Sequence, residues 1–335
     1  MNMLDIRNLT IEMDTSNGPV KILDKVNLQV GEGEIHTLVG ESGSGKSLLA
    51  KAILGFINPR WRVTADRLWW NNRDLLNMDA ALRRQITGRD MAMIFQNPNS
   101  YLDPNSTVGE QLREAIPKGD LRGTFIRKMV DKRTRVVRLL HRVGVKDHDQ
   151  VIDSYPFELS VGVAQKVSIA MAIAHRPKLL IADEPTTAME PSTRQQIYRL
   201  LTRLSITQGM SMLMITQDVA SVMPDSDNVT LLYCGQLMEA GNKQAVFDQP
   251  QHPYTEAMLR MSLRDTDAVE PKTHLPTLPG AIPTLQHLPI GCRLGPRCPN
   301  AQKDCVMVPK VTRLKQQSYH CHHPLAPNKR RKSAS

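Results

Sequence analysis

The sequence is poor in aromatic residues and has no long apolar run. Phe, Tyr and Trp together make up 4% of its 335 residues, and the first of them is Phe56. No apolar stretch approaches the roughly 20 residues that a membrane-spanning helix requires, so we expect any role at a membrane to be peripheral. The opening residues, MNMLDIRNLT, lack the basic, apolar and small-residue regions of a signal peptide. We therefore expect the protein to stay in the cytosol.

Acidic residues are also in deficit. The 43 Lys and Arg residues outnumber the 33 Asp and Glu residues, which gives a formal net charge of +10. Part of this charge lies in the final segment NKRRKSAS, which we interpret as a disordered, solubilising tail. A basic balance is compatible with anionic ligands, a membrane surface or nucleic acid, and it does not choose among them.

What the chain does have is an alternation of short apolar runs and helix-like segments. The strand candidates are EIHTLVG (34–40), MAMIF (91–95), LLIA (179–182), MLMI (212–215) and VTLLYC (229–234). This alternation predicts an α/β fold with a mainly parallel sheet that is covered on both faces. A basic, helix-like stretch lies at about 101–159, and Pro, Gly and Cys accumulate from about Pro250 onward. We therefore expect a main domain at 1–250 and a separate C-terminal module at 251–335.

The segment GESGSGKS matches the phosphate-binding pattern G-x-x-x-x-G-K-[ST] without gaps. Glycines let such a loop bend around a phosphate chain, and the helix that follows adds its positive N-terminal end. The strand before the loop and the predicted helix KSLLAKAIL after it make a chance glycine-rich turn improbable. Lys46 can reach the β- and γ-phosphates, and the Ser47 hydroxyl can bind Mg²⁺. The predicted nucleotide-binding residues are Gly40, Glu41, Ser42, Gly43, Ser44, Gly45, Lys46 and Ser47.

A second motif, LLIADEP, places two carboxylates at the end of an apolar strand. Asp183 is suited to hold the Mg²⁺ shell, and Glu184 to orient or deprotonate an attacking water. An acidic pair that only caps a helix is the alternative, and the phosphate-binding loop in the same chain makes that alternative weak.

Two further segments have the spacing of one superfamily. MIFQNPNSYLDP carries Gln96 just past a strand, and YPFELSVGVAQK carries Ser160 and Gly162 at the start of a helix. With TTAME at 186–190, the chain resembles the ATP-binding cassette (ABC) transporter ATPases. The resemblance implies that Gln96 senses the γ-phosphate, and that Ser160 and Gly162 complete the nucleotide site of a facing subunit. It also implies that the helical stretch at 101–159 meets a permease.

The C-terminal segments PQHPYTEAM (250–258) and LPGAIPTLQHLPIGCRLGPRCP (278–299) resemble, more narrowly, those of oligopeptide/dipeptide transporter ATPases. This resemblance implies a subunit that uses ATP to drive transport at the cytoplasmic face of a bacterial inner membrane. Its expected partners are two transmembrane permease subunits and a second ABC ATPase, and no nucleic acid. Peptides, as in antimicrobial peptide uptake, or putrescine for export are the implied substrates. A non-hydrolysing, ATP-gated regulatory subunit is the alternative.

Gln217 departs from the family pattern. A strand such as MLMI is followed in the family by Thr/Ser-His-Asp, whereas this chain has Thr216-Gln217-Asp218. A Gln amide can donate a neutral hydrogen bond to phosphate, but it can neither become cationic nor pass a proton. We therefore expect this site to bind Mg-ATP and to hydrolyse it slowly; a surface residue without a catalytic role is the alternative. The signature is also altered, with Val161 where the family has glycine. Two such subunits would form two impaired sites, which favours a heterodimer.

The cysteines form a second candidate site. Cys234 lies in an apolar run and is expected to be a core residue. The other four follow the spacing C-x₅-C-x₆-C-x₁₅-C and are Cys292, Cys298, Cys305 and Cys321. Cytosolic context argues against disulfides and for a metal or a cluster. The family resemblance implies a 4Fe–4S cluster, while three nearby histidines, His320, His322 and His323, keep Zn²⁺ as an alternative. Four unligated thiols are a third interpretation.

Overall fold

The computed structural model describes residues 2–16, 18–117, 125–187, 189–262 and 278–325, with side chains of the helix at 125–142 described from residue 132. The predicted disordered tail lies outside these ranges, as do residues 118–124 of the predicted helical stretch and residue 188 of TTAME. Among the described residues, no helix is both long enough and apolar enough to cross a bilayer.

Strands and helices alternate along most of the chain. The strands are β1 (Asn2–Thr15), β2 (Gly18–Gly31), β3 (Ile35–Val39), β4 (Arg62–Thr64), β5 (Arg67–Trp70), β6 (Arg73–Asp74), β7 (Met91–Ile94), β8 (Leu179–Asp183), β9 (Ser211–Thr216), β10 (Asn228–Tyr233), β11 (Gln236–Asn242), β12 (Thr312–Arg313) and β13 (Gln317–Tyr319). The helices are α1 (Lys46–Leu54), α2 (Ala80–Arg89), α3 (Val108–Ala115), α4 (Phe125–Arg142), α5 (His148–Asp153), α6 (Val161–Ala172), α7 (Pro191–Gln208), α8 (Val219–Val222), α9 (Lys243–Asp248) and α10 (Pro253–Ser262).

The chain divides into two compact units, which are described separately. Unit 1 comprises Met1–Met78 and Ile215–Ser335. One of its sheets is antiparallel, in the order β2-β1-β5-β6 with β4 also paired to β1. The other runs β12-β13-β11-β10-β3, with β10 and β3 parallel and the remaining pairs antiparallel. All five residues of β3 are buried, as expected for a strand that is covered on both faces.

A hydrophobic core in unit 1 joins the strands to the C-terminal residues. It contains Val39 of β3, Tyr233 of β10, Tyr254 of α10 and Leu294 of the cysteine-rich segment, each fully buried. Cys234 belongs to the same core and is 4% exposed, which confirms its predicted role as a small core residue. The C-terminal segment therefore shares a core with the strands that carry the phosphate-binding loop.

Unit 2 comprises Asp79–Met214 and holds the parallel pair β7 and β8 together with helices α2 to α7. Local signals fix several of its helix ends. The Asp79 carboxylate caps α2 by accepting hydrogen bonds from the Ala81 and Leu82 amides, at 2.9 and 3.2 Å. Helix α7 begins at Pro191 and is followed by Gly209 in a left-handed conformation, the usual order for these two residue types. Strand β9 begins in unit 2 and ends in unit 1.

The predicted fold class is confirmed, because helices alternate with strands that form a sheet containing parallel pairs. The sequence analysis did not foresee the antiparallel sheet of residues 2–74. The division at residue 250 stays a prediction.

Candidate nucleotide-binding site

The phosphate-binding loop joins β3 to α1 in unit 1. A side chain at Gly40 would collide with the backbone carbonyl of Leu232, so only glycine fits there. Gly43 and Gly45 have φ angles of 77° and 100°, which favour glycine, and a Cβ at Gly45 would also lie 2.6 Å from the Leu23 Cδ2 atom. The pattern of glycines that predicted a phosphate cradle is therefore required by the backbone itself.

Lys46 and Ser47 occupy the first turn of α1, the end at which a helix favours anions. The Lys46 side chain is buried, and its ammonium donates hydrogen bonds to the carbonyl oxygens of Gly40 and Glu41, at 2.8 and 3.0 Å. Ser44 Oγ is also buried and has no hydrogen-bond partner among the described residues. The loop thus holds a cation and an unsatisfied hydroxyl, a donor set that fits phosphate oxygens.

In unit 2, the structure brings Gln96 and Glu184 together. Asp183 is the last residue of β8, and Glu184 follows it with a φ angle of 44°, an unusual conformation for a non-glycine residue. The Gln96 amide donates to the Glu184 carboxylate at 3.1 Å, and the Thr187 hydroxyl donates to the same oxygen at 3.3 Å. Strained backbone held by such contacts is often found at functional sites. The site roles of Gln96, Asp183 and Glu184 stay predictions.

The predicted signature residues lie at the N-terminus of α6. The Ser160 hydroxyl caps this helix by accepting a hydrogen bond from the Val163 amide at 3.4 Å. A Cβ at Gly162 would lie 3.1 Å from the Thr193 Cγ2 atom. Val161, between them, is 42% exposed and so stands at the surface of this helix end.

Gln217 directly follows β9, in which all six residues are buried. Its side chain is exposed. The next residue, Asp218, caps α8 by accepting from the Ser221 amide at 3.2 Å. The strand-end position predicted for Gln217 is confirmed, and its proposed part in hydrolysis stays a prediction.

The four C-terminal cysteines lie in one neighbourhood of unit 1. Burial raises the pKa of Cys292, Cys298 and Cys321, in the last case to about 11, and negative charge on the neighbouring thiols raises each pKa further. The Cys292 amide donates to the Cys305 carbonyl at 3.0 Å. Among the described residues, however, no three of these sulfurs lie within 4.8 Å of one another.

A smaller group of possible metal ligands adds Asp304, which the sequence analysis missed, to Cys305 and His323, which it named as candidates. Ligand atoms of Asp304, Cys305 and His323 all lie within 4.8 Å of one another. The His323 Nε2 atom is 2.7 Å from the Asp304 carboxylate, and this hydrogen bond lowers the pKa of Asp304. Asp304 precedes Cys305 directly, but one acidic residue beside a cysteine does not by itself indicate a metal ligand.

Two further residues that contact the phosphate-binding loop were also missed. Arg297 forms an ion pair with Glu41, and the Tyr254 hydroxyl accepts a hydrogen bond from the Glu41 amide. Both lie in the C-terminal segments that resemble those of the oligopeptide/dipeptide transporter ATPases. The available signal was an arginine directly before Cys298, which does not by itself indicate a contact with the loop.

Comparisons with known proteins agree with this geometry. The ABC transporter family model matches residues 23–187, and the model of the oligopeptide/dipeptide transporter C-terminal region matches residues 238–305. The chain is 49% identical to the peptide transport system ATP-binding protein SapD of Salmonella typhimurium, over 97% of this chain and 98% of that protein. It is 40% identical to the dipeptide transport ATP-binding protein DppD of Escherichia coli, over 97% and 98% of the two chains.

A solved structure supports the same assignment. The ATP-binding cassette MJ0796, in a dimeric post-hydrolysis state bound to ADP and Pi, aligns with a TM-score of 0.62 and 25% identity, over 72% of this chain and 99% of that one. The predicted family and its C-terminal region are therefore both confirmed. The chain belongs to the ABC transporter ATP-binding proteins, in the group that carries the oligopeptide/dipeptide transporter C-terminal region.

Proposed function

We propose that the chain is the ATP-hydrolysing subunit of a peptide transporter, docked on membrane permease subunits at the cytoplasmic face of a bacterial inner membrane. The observation that carries this proposal is the end-to-end likeness to peptide and dipeptide transport ATP-binding proteins, at 49% and 40% identity. The phosphate-binding loop and the Gln96–Glu184 pair supply the residues that such an activity needs.

The residues divide the chemistry of ATP hydrolysis among them. The loop amides and Lys46 bind the phosphate chain, and Ser44 Oγ offers one more hydrogen bond. Ser47 and Asp183 would hold Mg²⁺, which neutralises charge on the β- and γ-phosphates when bound. Glu184 orients the attacking water and accepts its proton, while the hydrogen bond from Gln96 fixes the Glu184 carboxylate.

We propose a heterodimer with a second ABC ATPase. Val161 and Gln217 both depart from the family pattern, one at the signature and one beside the γ-phosphate. A homodimer would place both departures in each of its two sites. A partner with an unaltered switch residue and signature would instead leave a single departure in each site: Gln217 at this chain's own loop, and Val161 opposite the partner's loop, where the partner's switch residue is kept.

For the transported molecule we propose peptides, because both relatives are named for peptide or dipeptide transport. The resemblance alone suggests putrescine export as a second candidate. Transport assays in vesicles that contain the whole complex distinguish the two candidate substrates. ATP-driven uptake or efflux is measured with a labelled peptide and with labelled putrescine. Movement of putrescine alone would contradict the peptide assignment.

We also propose that the four cysteines hold a 4Fe–4S cluster. A single Zn²⁺ needs its ligand atoms close together, at Zn–S distances of about 2.3 Å. A cluster accepts thiolates that are spread around it, which fits four neighbouring sulfurs that do not converge on one point. Zn²⁺ at the Asp304, Cys305 and His323 group is the alternative. Anaerobic purification with iron, sulfide and zinc analysis tests both, and zinc without iron would reject the cluster.

ATP hydrolysis at this chain's own site is tested by Glu184→Gln in the assembled transporter, with the partner ATPase silenced at its own catalytic carboxylate so that only this site contributes. Loss of the proton-accepting carboxylate should lower the turnover contributed by this site by about 10²- to 10⁴-fold, with ATP binding retained. Unchanged hydrolysis by the complex would instead favour the regulatory alternative, in which the partner does all the chemistry. Glu114→Gln, at an exposed carboxylate of α3 in the same unit, serves as the matched control.

A further inference from the structure

Glu41 is the first variable residue of the phosphate-binding loop, and its carboxylate is bound by a residue 256 positions later in the chain. The Nη1 and Nη2 atoms of Arg297 donate to the two carboxylate oxygens of Glu41, at 2.7 and 3.2 Å. The Arg297 side chain is 8% exposed and that of Glu41 is 18% exposed. A two-pronged ion pair with this little exposure fixes both the position and the orientation of Glu41.

The backbone of Glu41 is held by the same group of residues. Its amide donates to the Tyr254 hydroxyl at 2.8 Å, and the Tyr254 ring packs on the Tyr233 ring at 5.0 Å between centroids. Arg297 is connected to the same two rings, because it donates a hydrogen bond to the Tyr233 hydroxyl at 3.1 Å. Its Nε atom donates to the Pro279 carbonyl at 2.9 Å. Glu41 is thus anchored through its main chain and its side chain.

The anchored residue controls the shape of the loop. The Glu41 carbonyl accepts hydrogen bonds from the Lys46 ammonium at 3.0 Å and from the Ser44 amide at 3.2 Å. A shift of Glu41 would therefore move the turn of the loop and the lysine that binds the phosphates.

Charge gives a second reason for the contact. A carboxylate in a phosphate cradle opposes the binding of a triphosphate, because like charges repel at short range. Arg297 neutralises Glu41 while directing its own donors to the carboxylate, the Tyr233 hydroxyl and the Pro279 carbonyl. The loop then presents Lys46 to phosphate without an opposing net charge beside it.

We propose that Arg297 is a positioning residue for nucleotide binding, which acts through Glu41 to set the geometry and the charge of the phosphate cradle. The inference rests on the proposed function as an ATPase, and it makes the C-terminal segment part of the nucleotide site. Arg297 touches Glu41 and not the reacting atoms, so it is expected to govern ATP affinity more than the chemical step.

The test compares Arg297→Gln and Arg297→Lys with the parent chain in the assembled transporter. Arg297→Gln should raise the Kd and KM for ATP about tenfold, since a hydrogen bond between charged groups is worth roughly that factor. Its kcat at saturating ATP should change by less than about twofold. Arg297→Lys keeps the charge without the paired geometry, so an intermediate effect is expected. Arg260→Gln, which breaks the exposed Arg260–Glu256 pair of α10, is the matched control.

The double variant Glu41→Gln/Arg297→Gln separates positioning from a general loss of structure. Removing the carboxylate as well removes the charge that Arg297 neutralises, so the double variant should bind ATP more tightly than Arg297→Gln alone. If Arg297 has a purely structural role, adding Glu41→Gln should not restore any ATP affinity, and that outcome overturns the inference. The inference is also overturned if folded Arg297→Gln binds ATP with an affinity within twofold of the parent.

Tyr254→Phe covers the case in which Arg297→Gln does not fold. This substitution deletes the hydroxyl that accepts a hydrogen bond from the Glu41 amide. It should weaken ATP binding about threefold or more, because that is the contribution expected of one neutral hydrogen bond. Unchanged affinity in Tyr254→Phe would then contradict the anchoring of Glu41. A parent chain that does not bind ATP at all would contradict the proposed function instead.

Discussion

Gln217 offers a substitution that should raise activity. Its side chain is exposed at the end of a fully buried strand, and the following turn is fixed by Asp218, whose carboxylate accepts from the Ser221 hydroxyl at 2.6 Å. Gln217→His should therefore change the free energy of unfolding by less than about 0.5 kcal/mol. Any change in turnover then reflects the phosphate environment and not the stability of the fold.

The size of the gain follows from the strength of the donor. Removing a hydrogen-bond donor aimed at transition-state charge typically costs about 10²- to 10³-fold in rate. A neutral amide keeps part of this contribution, because hydrogen bonds with an ionised partner are roughly twice as strong as neutral ones. Gln217→His is therefore expected to increase the turnover of this site by about 10- to 10²-fold.

The assay measures steady-state ATP hydrolysis by the assembled transporter, with the partner ATPase silenced at its own catalytic carboxylate. Gln286→His makes the same change at an exposed position of the C-terminal segment and should leave turnover unaltered. Equal ATP affinity in parent and variant, combined with no rise in turnover, would refute the reasoning.

Two further predictions concern single groups in unit 1. Gly40→Ala should abolish measurable ATP binding, because the added Cβ collides with the Leu232 carbonyl. The control is Gly88→Ala in α2, where nothing lies within 4 Å of the added atom. ATP binding by Gly40→Ala with the affinity of the parent would contradict the structure. Burial raises the pKa of Glu239 from its ordinary value of 4.5 to about 7, so its contribution to stability is complete below pH 4.5 and is lost as the pH rises through 7. Chemical unfolding at pH 5 and pH 8 should show the parent losing up to about 3 kcal/mol relative to Glu239→Gln, and parallel pH profiles would refute this.

Short buried strands and the first helix could be predicted closely from the sequence. The segment KSLLAKAIL forms α1 from its first to its last residue, because the glycine before it and the glycine after it mark both ends. The run MLMI lies within β9, which is longer by one residue at each end. Such runs are continuous, apolar and bounded by residues that break regular structure, so local information suffices.

The hairpin of β1 and β2 could not be recognised by alternation. The register between these strands shifts at several points, among them between Ile6 and Leu9 and between Leu9 and Ile11. Each irregularity interrupts the two-residue period on which the prediction of a half-buried strand depends. The two strands are stabilised by their partners across the sheet, and a single-sequence pattern does not contain those partners.

The residues of the candidate site also differ in how well the sequence predicts them. Lys46, Asp183 and Glu184 belong to contiguous motifs whose chemistry can be read from residue type and spacing. The contact between Glu41 and Arg297 joins residues 256 positions apart, and no sequence pattern around either residue predicts the other. Long-range ion pairs follow from the packing of the chain, and only the structure reveals them.

The packing around the loop also bears on why the C-terminal segment is present. Tyr254 anchors the backbone of Glu41, and Arg297 anchors and neutralises its side chain. Arg297 directly precedes Cys298, and Arg293, which directly follows Cys292, donates to the carbonyl oxygens of Cys234 and Lys21. Arg297 therefore contacts the loop itself, whereas Arg293 holds Cys234, whose neighbour Gly235 donates its amide to the Ser44 carbonyl of the loop at 2.8 Å. Because coupling between two sites is reciprocal, whatever orders these cysteines should also stabilise the phosphate cradle, and a bound nucleotide should in turn stabilise the cysteine-rich segment.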